Sequence, residues 1–244
     1  MNIRKLRLGI IFYRNTIWIS ELYSILFVSA LLISLVSIGT IITVNELQRY
    51  SLSNKVFALR EDYSQLSDHR DILRGKYRIA CALNGFTGGE FKPHTFEKIV
   101  NLVYENSTTY GYDPLLVLAV IHVESVFDPK AIGRYRSGME SGAFGLMQLK
   151  FATALEVASS IGVFLDDTTD LFKPEINIIL GIAYLTQQIS TFHDFKLGLL
   201  AYNQGPGTIQ KHLKEKTPLS VRYYRKVLDR YYRLCTIVES CGIG

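Results

Sequence analysis

Long alternations of apolar and polar residues bounded by hairpin turns are missing from this chain, which argues against a strand-built fold. Its three cysteines, Cys81, Cys235 and Cys241, lack metal-ligand spacing. There is no zinc-finger pattern and no aromatic-plus-basic motif, so nucleic acid ranks low as a partner. No motif for a metal or an organic cofactor is present. An odd number of cysteines leaves at least one thiol unpaired in a monomer. Pairing of Cys235 with Cys241, pairing of Cys81 with either, and plain burial of all three stay open. Tryptophan occurs once against fifteen tyrosines. Tyrosine lines sugar-binding clefts as well as ordinary cores, so the balance only permits a carbohydrate ligand.

What is present is a basic chain of 244 residues with net charge +5. That charge suits an anionic partner such as a lipid surface or an acidic polymer. Leu22 to Val44 carries no charged side chain and is 23 residues long, enough to span a bilayer. Arg4, Lys5, Arg7 and Arg14 precede it. The excess of positive charge on that side predicts a cytoplasmic N-terminus and an exterior C-terminal portion. No small-residue cleavage site follows the run, which favours an uncleaved anchor over a signal peptide.

Beyond the anchor, Leu52, Val56, Leu59, Tyr63, Leu66, Arg70, Leu73, Tyr77 and Ala80 fall at alternating steps of four and three. This is a heptad seam with one charged break. It reads as a stalk, a homodimer contact, or an amphipathic helix packed on its own domain. A glycine-rich stretch from Leu83 to His94 then marks a boundary. The expected organisation is a basic cytoplasmic N-terminus over 1–21, a transmembrane helix over 22–44, a connecting helix and linker over 45–90, and a domain over 91–244. That domain reads as successive helices, all-α apart from a small hairpin in the glycine-rich part.

One of those helices ends on an acid. Asp113 is placed as its N-cap and Pro114 at its first position, and the run to Val123 is apolar on nearly every side. Glu124 closes it. A carboxyl in such surroundings has its pKa raised by desolvation, which suits a general acid. At this level a carboxylate capping local N–H groups, or paired with Arg134 or Arg136, remains open. His122 falls on a different helix face from Glu124 and reads as structural.

The motifs ESVFDPKA, GAFGLMQL, LFKPEINIILGIAYL and AYNQGPG occur in that order, followed by YYRKVL. Together they resemble the lytic transglycosylase (SLT) domain family, which is also similar to goose-type lysozyme. The resemblance runs from about Phe96 to Tyr232 and leaves the first 89 residues uncovered. It implies a lysozyme-like, all-α domain that cleaves the β-1,4 bond between N-acetylmuramic acid and N-acetylglucosamine in peptidoglycan. Glu124 stands where the family has its single acid/base. Ser125 would order the loop after it. Met147 and Gln148 would line the sugar site, with Tyr184 on its border. Tyr202 and Asn203 match the AYN motif, the tyrosine hydroxyl holding the acid. The family needs no metal and no cofactor. Its partner is the glycan strand, and the anchor implies a bacterial inner-membrane protein with a periplasmic catalytic domain.

Departures from the pattern leave rival readings. The segment IGRYRSGMES between Ala131 and Gly142 is longer than usual. It could cap the cleft, grip substrate through Arg134, Tyr135 and Arg136, or dock an envelope-machine partner. Glu140, if brought to Glu124, would turn the reaction to hydrolysis. Lys150-Phe151 replaces the usual Met-Pro, and Ser220 stands where many members carry a glutamate. A hydrolytic muramidase and a silent wall-binding scaffold are the alternatives.

Overall fold

The computed structural model describes residues 3–89 and 91–242, with side chains from Trp18 onward. The side chains of Arg4, Lys5, Arg7 and Arg14 lie outside the described residues. The chain divides into two compact units, Met1–Asp68 and His69–Gly244.

Helix α1 (Ile3–Thr87) accounts for the whole of the first unit from Ile3 on. Among the described residues it is the one helix long and apolar enough to cross a membrane, by length and composition. Residues 22–44 are exposed on all sides, so this run is not a buried core helix. The seam residues Leu52, Val56, Leu59, Tyr63 and Leu66 are exposed as well.

The second unit contains the end of α1, helices α2 (Pro93–Thr109), α3 (Pro114–Ser125), α4 (Phe151–Ile161), α5 (Pro174–Phe192), α6 (Phe195–Gln204), α7 (Pro206–Glu215) and α8 (Arg222–Ser240), and strands β1 (Ile132–Arg134), β2 (Glu140–Phe144) and β3 (Leu149–Lys150). A short 3-10 turn spans Thr168–Phe172. The expected hairpin is a three-stranded antiparallel sheet in the order β1-β2-β3, with Ile132 opposite Phe144 and Ala143 opposite Lys150.

Local chemistry explains the helix limits. Asp113 accepts from the N–H of Leu115 at 3.0 Å and Pro114 opens α3. Asp194 caps α6 in the same way on Leu197. Gly162 takes the left-handed conformation that closes α4. Leu115, Val117, Leu118, Ala119, Val120 and Ile121 are all buried, so α3 is the central helix, covered on nearly every side.

The expected boundary near residues 83–94 is not where the second unit begins. Ile79, Ala82 and Leu83 are fully buried in its core. At Gly75 an added Cβ would collide with the Tyr104 ring, so the missing side chain lets α1 and α2 approach. A disulfide joins Cys81 on α1 to Cys241, just beyond α8, with the Cα atoms 6.8 Å apart; Cys235 is free. The glycine-rich stretch after Leu83 therefore completes α1 and turns at Gly88 and Gly89 inside this unit. Self-packing of the seam holds only near its end, because Leu73 and Tyr77 are exposed and Ala80 is half-buried.

Candidate active site

Three parts of the second unit meet around a groove of about 630 Å³. The sheet contributes Arg134, Tyr135, Ser141 and the neighbouring Gln148. Helices α5 and α6 contribute Tyr184, Tyr202 and Asn203. The turn between α6 and α7 adds Gly205 and Pro206. Glu124, at the end of α3, reaches the same groove and is the only carboxylate among its lining residues.

The surroundings of Glu124 set its proton affinity. Burial pushes its carboxyl from the ordinary 4.5 up to about 7. Two influences pull the other way: a hydrogen bond from Tyr223 and the charge of Lys226. The Tyr223 hydroxyl donates to the Glu124 Oε1 at 2.5 Å. Burial holds the pKa of that phenol well above its usual value, so it stays a donor. Among the described residues no guanidinium or ammonium pairs with Glu124, and Arg134 turns instead to Glu140 at 3.8 Å.

The tyrosine that bonds the acid is thus Tyr223, from the first turn of α8. The hydroxyl of Tyr202 donates to the Met147 carbonyl at 2.7 Å, although the ring stays close enough to feel the Glu124 charge. Tyr184 stacks obliquely on it, the ring centres 5.3 Å apart. These two rings form one apolar wall of the groove.

Gln148 lines the groove from a strained backbone, with φ of 49°. Its Nε2 donates to the carbonyls of Gly145 and Ala131 at 2.9 and 3.1 Å. This fixes the amide and leaves its oxygen as the free polar atom. Asn177 holds the same turn from below. It accepts from the Met147 N–H at 2.7 Å and donates to the carbonyls of Phe144 and Leu171 at 2.9 and 2.8 Å.

Two residues carried over from the family motifs, Met147 for the sugar site and Ser125 for the loop after the acid, do not line the groove. Met147 is fully buried and packs in the core below the Gln148 turn. Ser125 is buried too; its hydroxyl donates to the Leu146 carbonyl at 2.8 Å and ties the end of α3 to that turn. Arg134 and Tyr135 line the groove, whereas Arg136 and Glu140 do not. Glu140 therefore does not supply a second acid within the groove. His122 lies away from it, half-buried against Phe86 and Phe127 at 4.5 and 5.4 Å.

Sequence reasoning missed Tyr223 and Asn177. The first was hidden in a pair of adjacent tyrosines, and only the phase of α8 selects between them. Asn177 left a weak signal, a lone amide inside an apolar helix.

The family model described as Transglycosylase SLT domain matches residues 101–223, half of the chain. The chain belongs to this family. As an SLT-domain protein it resembles a transglycosylase of Enterobacteria phage PRD1, 37% identical over 111 residues, covering 46% of this chain and 36% of that protein. It also resembles the membrane-bound lytic murein transglycosylase C of Edwardsiella ictaluri, 35% identical over 126 residues, covering 46% and 32% of the two chains. The SLT-domain chain therefore spans about a third of the length of the curated relatives it matches. Among solved structures, an inactive mutant of the lytic transglycosylase Slt of Pseudomonas aeruginosa aligns with 29% identity and a TM-score of 0.41, over 56% of this chain and 22% of that one. The 70 kDa soluble lytic transglycosylase of Escherichia coli aligns with 24% identity and a TM-score of 0.43, over 64% and 24%.

Proposed function

We propose that this protein is a membrane-anchored lytic transglycosylase that cleaves the β-1,4 bond between N-acetylmuramic acid and N-acetylglucosamine in peptidoglycan. One observation carries the reading: a single groove carboxyl whose proton affinity is set near neutrality by burial, with a tyrosine donor holding one of its oxygens.

At neutral pH a pKa of about 7 leaves a large fraction of Glu124 protonated, which suits donation to a leaving glycosidic oxygen. Among the described residues the groove has no second carboxylate of the kind most glycosidases use. The substrate's own N-acetyl group would stabilise the oxocarbenium-like carbon in its place. Glu124, now a base, would take the proton from the C6 hydroxyl of the muramoyl sugar, and that oxygen would attack C1. The product is a 1,6-anhydro end, with no water consumed. The Gln148 amide oxygen, Asn203 and the Tyr184–Tyr202 wall, which line the groove, would orient the sugars, and such positioning would lower the barrier by several kcal/mol.

Anchoring by α1 would hold the second unit on the exterior side of the inner membrane. The exposed heptad seam is where a second copy, or a component of an envelope-spanning machine, would pair.

Digestion of purified sacculi tests the chemistry. The expected products are anhydro-muropeptides, identified by mass. Reducing ends would show a hydrolase, and binding without release a scaffold. Glu124→Gln should lower release by at least about 1,000-fold, as expected for loss of the proton donor. Release by that variant at the wild-type rate would remove Glu124 from its role.

A further inference from the structure

Helix α8 carries its charge at the end where it is least welcome. Anions stabilise the first turn of a helix and cations the last. Here Arg222 opens the helix and Arg225 and Lys226 follow, with no acidic residue in the first turn and no side-chain cap. All three cations are exposed. None of them has an ion-pair partner among the described residues. Asp229, on the same helix, is engaged by Arg230 at 2.8 Å and Arg233 at 3.3 Å.

The three cations border a hollow of about 470 Å³ together with Ser220, Val221 and Asp229. Two bonds connect this hollow with the groove. Tyr223, between Arg222 and Arg225 in sequence, bonds Glu124. Gln204, which lines the groove, donates to the Ser220 carbonyl at 3.1 Å. The hollow thus adjoins the groove, and Arg222 and Arg225 face it without an ion pair among the described residues, while the charge of Lys226 also acts on Glu124.

We propose that this hollow binds carboxylates of the peptide stems carried by the glycan strand in the groove. The assignment rests on the peptidoglycan reading above. Peptide stems present free carboxylates at intervals along the glycan. Guanidinium groups take carboxylates in two-pronged, charge-assisted geometry. Bound stem carboxylates would relieve the repulsion between three neighbouring cations and the positive end of α8.

The experiment compares the full chain in neutral detergent with its Arg222→Gln/Arg225→Gln variant, both in a Glu124→Gln background so that the glycan survives. Binding is measured by co-sedimentation with intact sacculi and with sacculi stripped of stems by an amidase. The parent should bind intact sacculi roughly tenfold more tightly than stripped glycan, a gain of the size expected for charge-assisted pairs. The double variant should bind both as the parent binds stripped glycan. A free stem tetrapeptide should compete with intact sacculi for the parent. Equal binding of the parent to both glycans, or retention of the preference by the variant, overturns the proposal. Competition by glycerol phosphate and not by the tetrapeptide assigns the hollow to lipid headgroups and also overturns it. Failure to bind either glycan removes the peptidoglycan reading together with this inference, whereas tight binding to stripped glycan without a stem preference removes the inference alone.

Discussion

Glu124 is held between two opposing demands. Burial favours its neutral form, and the Tyr223 hydroxyl favours the carboxylate. As a proton donor it is active in its neutral form, so cleavage should fall as pH rises through about 7. Tyr223→Phe deletes the bond that lowers the pKa, so the alkaline limb of the pH–rate profile should move to higher pH. The rate at neutral pH should drop by about 10- to 100-fold, because the carboxyl loses its fixed orientation. A pH–rate profile that stays in place would show that Tyr223 does not act on the acid. The acid itself was legible in the sequence, since one carboxylate closing an apolar run needs a reason. The partner was not, because Tyr223 and Tyr224 are adjacent and differ only in which side of α8 they face. Met147 misled for a related reason. Its motif position was informative, but its side chain points into the core while the next residue, Gln148, enters the groove.

At the scale of elements, the groove depends on a turn that cannot hold itself. Gly145, with φ of 76°, leads into the Met147–Gln148 turn, and an added Cβ there would collide with the Leu171 carbonyl and the Asn177 side chain. Asn177, fully buried in α5, satisfies three backbone groups of this region. Asn177→Ala should therefore leave several buried polar groups unpaired and cost roughly 2–5 kcal/mol. Thermal unfolding checks this: the melting temperature should fall by several degrees, and glycan binding should weaken as Gln148 loses its support. Unchanged melting would show that the turn is held otherwise. The helices were readable from Pro and Asx residues at their starts and glycines at their ends. The support of the turn was not, because it joins positions about thirty residues apart on different elements.

For the whole molecule, the proposed anchoring by α1 makes the side of the membrane on which the second unit lies the property to test. Protease added to spheroplasts should degrade the C-terminal unit, as followed by an antibody against it, and full protection would reverse the orientation. The long apolar run made a helix long and apolar enough to cross a membrane legible from composition alone. The extent of the second unit was not legible in the same way. Its core recruits Ile79, Ala82 and Leu83 from α1, and a heptad pattern does not reveal which turns will be covered by distant helices. The cationic hollow likewise depends on the approach of α6 to the segment that opens α8, which sequence order does not display.

The bridge between Cys81 and Cys241 gives the proposed orientation a chemical counterpart. Cytosolic thiol buffers keep such pairs reduced, and extracytoplasmic compartments let them persist. It fastens the first helix of the second unit to its last residues, enclosing almost the entire enzyme-like fold within one covalent ring. A molecule inserted the wrong way round would lose that ring and unravel more readily, so misoriented copies would betray themselves to cytosolic proteases before they could meet any substrate.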